Sequence, residues 1–198
     1  MITTYLFDLD GTLIDTKIYK RIYPKVLKMI EKKLKIKKNE IEAKAKSFGL
    51  RKNKEKRYDS GDLCKSLFLL DEYYKILDKE IKTSASLKKD VKKILSELNQ
   101  RKKKIGIVSN SMRRTIDLYI EKYGLSDNVD FIFSCDDASC RKDYYVFWEK
   151  LVMTKKISPR TCIVIGDNRH DDVDMPRKVG FNTFLVKKPK DINDVLEI

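Results

Sequence analysis

Little in this chain could staple it, anchor it in a membrane or keep it unfolded. Its 198 residues include 4 cysteines, 4 prolines, 7 glycines, one tryptophan and one histidine. Four cysteines are too few to brace a chain of this length, and Cys64, Cys135, Cys140 and Cys162 form no CxxC pair of zinc-finger spacing. They are expected as reduced thiols. The scarcity of glycine and proline, beside a hydrophobic content of 41%, excludes collagen-like and disordered classes. No apolar run approaches the roughly 18 residues of a membrane span. The opening Met1-Ile2-Thr3-Thr4 lacks a basic leader followed by a long apolar stretch. A soluble cytoplasmic protein without membrane contact is therefore expected, long enough to bury roughly 70% of the surface its unfolded chain exposes.

Charge is one-sided: 44 Lys and Arg against 30 Asp and Glu give a net charge of +14. Such a balance suits nucleic acid, an anionic membrane face or small polyanionic substrates. The lysines, however, are spread along the whole chain (Lys17, Lys32, Lys54, Lys88, Lys102, Lys155, Lys187) without an arginine block. A Lys-rich solvated surface accounts for that pattern better than a binding site.

Short β-rich apolar runs that end at acidic or small polar residues recur at 4–7, 105–108, 131–133, 161–165 and 183–186. Helix-like segments separate the last four. Ser111 is the expected cap of a helix over 112–123 that Gly124 ends. The segment 144–155 places Val146, Phe147, Leu151 and Val152 on one side, and 172–179 closes at Gly180. Strands alternating with helices predict an α/β fold, a Rossmann-like parallel sheet core with helices on both faces. The span 16–85 breaks the rhythm and reads as a small all-helical domain. In it Ile18, Ile22, Val26, Ile30 and Leu34 repeat at i+4, and Asn39-Glu40-Ile41-Glu42 resembles a capping box. A further helix is expected over 62–77, Pro24 at a helix start or kink, and 52–58 as a charged connector; Arg51, Lys52, Arg57 and Tyr58 are expected to be solvated, with a position facing the site as the alternative. Residues 86–99, with the stripe Leu87, Val91, Ile94, Leu95 and Leu98, return the chain to the sheet. The expected division is a core of 1–15 and 86–198 with an insertion of 16–85.

The candidate chemistry lies at strand ends. The first strand runs into Asp8-Leu9-Asp10-Gly11-Thr12, and ligands of open α/β sheets bind beyond the carboxyl ends of strands. Carboxylates at i and i+2 of extended chain lean to one side, and two acids there are costly without a cation. A second acidic group, Gly166-Asp167-Asn168-Arg169-His170-Asp171-Asp172, follows the fourth apolar strand. Two such groups in a chain of charge +14 suggest a clamp for a divalent cation, and hard oxygen ligands favour Mg2+ over zinc. Val108-Ser109-Asn110-Ser111 supplies a hydroxyl and turn amides before a helix, a natural phosphate seat. Cys140-Arg141-Lys142-Asp143 supplies a cation before another helix. His170 is expected in a solvated loop role, and Tyr144, Tyr145, Phe147 and Trp148, at helical spacing, in the core.

Taken in this order the motifs resemble the haloacid dehalogenase superfamily of phosphohydrolases, over nearly the whole chain. Asp8-Leu9-Asp10-Gly11-Thr12 is similar to the first family motif, Ser109 to the second, Lys142 to the third, and Gly166-Asp167 with Asp172 to the fourth. The helical insertion is placed like the family's cap. The resemblance implies a phosphatase acting on a small phosphomonoester: a sugar phosphate, a phosphoglycolate-like acid or a nucleotide. Asp8 would be the nucleophile and Asp10 the general acid and base. Mg2+ would be held by the Asp8 carboxylate, the Asp10 carbonyl and Asp167, and phosphate by Ser109, Asn110 and Lys142. Asp172, or Asp171 in its place, would orient the metal's waters or Lys142, and Thr12 would hydrogen-bond within the loop. Asp143 follows Lys142 where many relatives carry proline, which leaves Arg141 as the alternative cation. The acid at Asp10 argues for phosphoryl chemistry over dehalogenation. A phosphomutase, or a basic nucleic-acid-binding module on the same fold, is the alternative; nucleic acid is not the expected partner, because the acidic set would repel phosphate without a metal.

Overall fold

The computed structural model describes residues 1–53, 55–84 and 86–198. The chain divides into two compact units, one of Met1–Asp15 with Ser86–Ile198, the other of Thr16–Ala85. Lys54, in the expected connector, and Ala85, the last residue of the expected insertion, lie outside the described residues.

The first unit is built on five parallel strands: β1 (Thr4–Phe7), β2 (Lys104–Ser109), β3 (Phe131–Ser134), β4 (Cys162–Gly166) and β5 (Asn182–Leu185), in the order β3-β2-β1-β4-β5. Every residue of β1 is buried, as a central parallel strand requires. Its register pairs Phe7 with Ile107 on one side and Ile165 on the other, so the ends of β1, β2 and β4 come out together. The chain steps outward from β1 to β3, then returns to β4 and proceeds to β5. Right-handed crossovers therefore put the helices of the two halves on opposite faces. Leu6, Val108, Phe133 and Val164 point to one face and pack there with Phe147, Trp148 and Leu151. Tyr5, Phe7, Ile105, Ile107, Ile163 and Ile165, the alternate residues, are buried as well.

The second unit contains α1 (Lys17–Leu34), α2 (Lys38–Ser47), α3 (Ser60–Ser66) and α4 (Leu70–Thr83). The stripe Ile18, Ile22, Val26 and Ile30 is fully buried, and α1 packs against the other three helices. Pro24 neither starts nor ends α1 but lies exposed within it. Four buried aliphatics, at roughly 1.5–3 kcal/mol each, outweigh the ~3 kcal/mol of an interior proline. The helix expected over 62–77 is two helices. Phe68, at φ +59°, breaks the run, and the Leu69 amide turns back to the Cys64 carbonyl at 2.8 Å. No glycine announces that break. The cap of α2 also differs: Glu40 Oε2 accepts from the Lys37 amide at 2.8 Å, two residues before Asn39. The connector is not uniformly solvated, because Tyr58 is buried and Lys52 Nζ lies 5.2 Å from its ring centre.

In the first unit, α5 (Val91–Gln100), α6 (Arg113–Tyr123), α7 (Cys135–Ala138), α8 (Tyr145–Lys155) and α9 (Met175–Lys178) complete the fold. The helix α5 starts later than expected because Leu87 pairs in extended conformation with Ile14. In α8 the buried residues are Phe147, Trp148 and Leu151, while Tyr145 and Val146, and Tyr144 just before the helix, are exposed. The expected aromatic core is thus two residues, not four. The segment expected as helix over 172–179 opens with a π-helical turn, His170–Asp174, before α9. All four cysteines are free thiols. Leu151→Ala is expected to lower unfolding stability by about 2–5 kcal/mol, whereas Met153→Ala, at an exposed site of the same helix, changes it by less than about 0.5 kcal/mol. Urea titration of both variants checks this.

Candidate active site

The described residues concentrate their buried charge at the carboxyl ends of β1, β2 and β4. The Asp8 amide continues the ladder by donating to the Ile165 carbonyl at 2.8 Å. Beyond it the chain winds through one tight turn. The Leu13 and Ile14 amides both donate to the Leu9 carbonyl at 2.9 Å, and Gly11 N donates to Ile14 O at 2.8 Å. Leu9, Leu13 and Ile14 are buried, so the turn is pinned from below. At its centre is the Lys142 ammonium, which is 2% exposed. It donates to Asp8 Oδ1, to Asp172 Oδ1 at 2.6 Å and to the Val108 carbonyl at 3.3 Å.

Burial alone would push the Lys142 ammonium down, but the carboxylates of Asp8 and Asp172 outweigh it and hold the lysine above its usual range. Burial likewise pushes the Asp8 carboxyl well above the ordinary carboxylate range. Lys142 opposes that push, while Asp172 and Asp10 add to it. Asp167 is exposed, yet it too is raised, by partial desolvation first and by the Asp172 charge second. Carboxylate oxygens of Asp8, Asp167 and Asp172 lie within 4.8 Å of one another, a set able to hold a metal ion. The carboxylates expected around a metal were Asp8 and Asp167, with Asp10 offering its carbonyl; Asp172 joins that cluster while also holding Lys142.

Two glycines make the approach possible. A Cβ on Gly11, which sits at φ +91°, would lie 2.2 Å from Asp167 Oδ2, and one on Gly166 would lie 2.2 Å from Asp172 Cγ. Neither site has room for a side chain. Asp172 is anchored in turn by its own Oδ2, which accepts from the Asn168 amide at 3.0 Å.

The second strand end contributes Ser109, buried, whose Oγ accepts from the Ser111 amide at 3.0 Å. Ser111 is not the helix cap that the sequence suggests. Its hydroxyl donates to Asp10 Oδ2 at 2.6 Å, and α6 starts without a side-chain cap. Asn110 joins three motifs. Its Oδ1 accepts from the Lys142 amide at 2.7 Å and its Nδ2 donates to Asp171 Oδ2 at 3.0 Å. Lys142 is thus brought to Asp8, while Arg141 is exposed. Asp171 lies outside the carboxylate cluster, 3.0 Å from Nδ1 of the exposed His170. Thr12 departs from expectation: it is fully buried, and its Oγ1 has no hydrogen-bond partner among the described residues. Sequence reasoning missed Ser111, and it missed Trp148, whose indole N–H donates to the Lys142 carbonyl at 3.0 Å. The Ser-Asn-Ser run carried a signal for the first; nothing near Trp148 carried one for the second.

Replacing Lys142 by Met leaves Asp8 and Asp172 buried without their cation. A loss of about 3–5 kcal/mol is expected in urea unfolding with chelator present. The double variant Lys142→Met, Asp172→Leu is expected to recover part of it, because it removes one of the stranded charges. A loss under about 1 kcal/mol would show that the triad carries little stability.

A family model described as haloacid dehalogenase-like hydrolase matches residues 5–186. Among curated relatives, the pyrophosphatase PpaX of Oceanobacillus iheyensis is 29% identical over 176 residues, covering 87% of this chain and 78% of the relative. Among solved structures, a HAD phosphatase from Thermococcus onnurineus aligns with a TM-score of 0.74 at 24% identity, covering 94% of this chain and 86% of the other. The magnesium-bound YfnB of Bacillus subtilis, a putative HAD-hydrolase by its description, aligns at 0.68 with 19% identity, over 100% of this chain and 99% of the other. With its parallel sheet, its strand-end carboxylates and a family match over most of its length, this chain belongs to the haloacid dehalogenase-like hydrolases.

Proposed function

We propose that this chain is a Mg2+-dependent phosphatase that hydrolyses a small phosphomonoester through a phosphorylated Asp8. The observation that carries the reading is the Asp8 carboxylate, buried at the end of β1, gripped by Lys142, with Asp10 two residues on and tethered by Ser111. A substrate phosphoryl group brings two negative charges to a site already rich in carboxylates, so a divalent cation is required as a counter-charge. The donor set fits one. All its atoms are hard oxygens, three carboxylates fall within 4.8 Å, and the Lys142 ammonium offsets only part of their charge. Asp8 and Asp167 would hold the ion together with the Asp10 carbonyl, and Asp172 would support them. When bound, Mg2+ neutralises phosphoryl charge and lets an anionic nucleophile approach.

In the first half-reaction an Asp8 carboxylate oxygen bonds to phosphorus in line with the leaving oxygen, whose bond to phosphorus breaks while Asp10 donates its proton to it. In the second, water attacks the same phosphorus, Asp10 takes back a proton, and the bond to Asp8 breaks to release inorganic phosphate. Ser109, the amides beside it and Lys142 would hold the equatorial oxygens, with Asn110 fixing the Lys142 backbone. Lys142 would then shift its hydrogen bonds from Asp8 toward phosphate while Asp172 retains it. The helical unit of residues 16–85 is assigned the role of a cap that restricts the site to small substrates. Sugar phosphates, phosphoglycolate-like acids and nucleotides are the candidate classes, and the PpaX relatives put pyrophosphate in the same panel.

Phosphate release from that panel, with and without Mg2+, tests the reading. Wild type should turn over at least one substrate only with metal, Asp8→Asn should be inactive, and Asp10→Asn should lose about 10²- to 10⁴-fold in kcat. Full activity in Asp8→Asn would falsify the assignment of the nucleophile. The pH dependence has a definite sign. A carboxyl raised by folding keeps a proton that the unfolded chain releases near pH 4. The metal-free fold therefore loses stability as pH rises through the raised values of Asp8 and Asp167. Mg2+ needs both groups ionised, so the gain in Tm on adding it should be larger at pH 8 than at pH 5. An equal gain at both would count against these ligands.

A further inference from the structure

Lys88 belongs, by sequence, to the scattered lysines of the surface charge. In the fold it is half-buried, and its Nζ donates to the carbonyl of Gly11, inside the turn that follows the nucleophile position. The rest of its segment is zipped to the same turn. Ile14 pairs with Leu87 in an antiparallel bridge, the Asp15 amide donates to Ser86 O at 2.7 Å, and the Lys88 amide donates to Leu13 O at 2.9 Å. The Lys88 side chain therefore arrives at Gly11 from a braced backbone.

Gly11 is the residue whose bare Cα faces Asp167, since a Cβ there would lie 2.2 Å from Asp167 Oδ2. The same freedom that admits Asp167 leaves the Gly11–Thr12 peptide unit free to swing, because glycine has no side chain to restrict it. The Gly11, Leu13 and Ile14 amides are already taken by the Ile14 and Leu9 carbonyls. What those bonds do not settle is the orientation of the Gly11 carbonyl, and with it the Gly11–Thr12 peptide unit that follows the acid and faces the carboxylate cluster. Lys88 settles it. Its ammonium also opposes the upward push on the Asp167 carboxyl, as expected of a cation held beside the cluster.

We propose that Lys88 is a positioning residue for phosphoryl transfer, latching the Gly11 carbonyl so that the turn at Gly11 is held against Asp167. The assignment rests on the phosphatase reading above. It places Lys88 away from substrate, and so in kcat rather than KM.

The test compares wild type with Lys88→Met, Lys88→Arg and, as a surface control, Lys89→Met, which alters an exposed neighbour. Kinetics are measured on the best substrate of the panel, and hydrogen exchange of residues 8–15 is followed without metal or substrate. Lys88→Met should lose about 10- to 100-fold in kcat with KM within about twofold. Its Tm should stay within about 3 °C of wild type, and exchange at Thr12 and Leu13 should be faster. Lys88→Arg, which keeps a charged donor, should return kcat to within about threefold of wild type, and Lys89→Met should match wild type throughout. Unchanged kcat in Lys88→Met overturns the proposal, as does a raised KM with intact kcat, which would make Lys88 a substrate ligand. Failure of Lys88→Arg to rescue overturns it as well, and so does a large Tm loss shared by both variants. If wild type releases no phosphate from any substrate, the phosphatase reading fails; the exchange comparison then decides the latch alone, since unchanged exchange in Lys88→Met overturns it.

Discussion

One ammonium buried between two carboxylates organises this site. Lys142 is almost without solvent, and an isolated charge so placed would be several kcal/mol unfavourable. It is tolerated because Asp8 and Asp172 flank it and the Val108 carbonyl takes a further hydrogen bond. The dependence is mutual. Asp8, raised by its burial, would be more strongly biased toward the neutral acid without the lysine. Three motifs distant in sequence, one from the end of β1, one from beyond β3 and one from beyond β4, are thereby joined through a single nitrogen.

The lysine is held from behind by the core. Trp148, fully buried among Phe147, Phe133 and Phe181, donates its indole N–H to the Lys142 carbonyl, and Asn110 accepts the Lys142 amide. Packing on one face of the sheet is thus continuous with the geometry of the site. On the carboxylate side the constraint is room. Gly11 and Gly166 let Asp167 and Asp172 come closer to the backbone than any side chain would permit, which packs the acids into one cluster. The upward shifts of Asp8 and Asp167 register desolvation first and then the repulsion of close carboxylates. A divalent cation is the natural relief of both.

Much of the fold was legible because its signals are local. Strand positions followed from short apolar runs, and β1 from four consecutive buried residues. The helical character of the insertion followed from the i+4 stripe of α1. Errors fell where tertiary contacts override local preference. Of the two places expected for Pro24, a helix start and a kink, the start is not found, because the buried stripe carries α1 through it; the break between α3 and α4 falls at Phe68, a residue with no preference for positive φ. In α8 the hydrophobic residues run almost without interruption, so periodicity could not tell buried Trp148 from exposed Tyr145.

The site divides in the same way. Asp8, Asp10 and Asp167 were readable as acids at strand ends followed by glycine or a turn, whereas the choice of Asp172 over Asp171 came only from the family resemblance. Ser109 and Lys142 stood out only in combination with those acids, since either alone is an ordinary surface residue type. Pairings were not readable. Ser111 reaches Asp10 across 101 residues of sequence, Lys142 reaches Asp8 across 134, and Lys88 reaches Gly11 across 77. Sequence alone determined which residue types stand at the ends of which strands, since that follows from local hydrophobic pattern and turn chemistry. Which lysine is buried against Asp8, which hydroxyl holds Asp10 and which lysine reaches the Gly11 carbonyl were decided only when the order β3-β2-β1-β4-β5 brought three strand ends side by side.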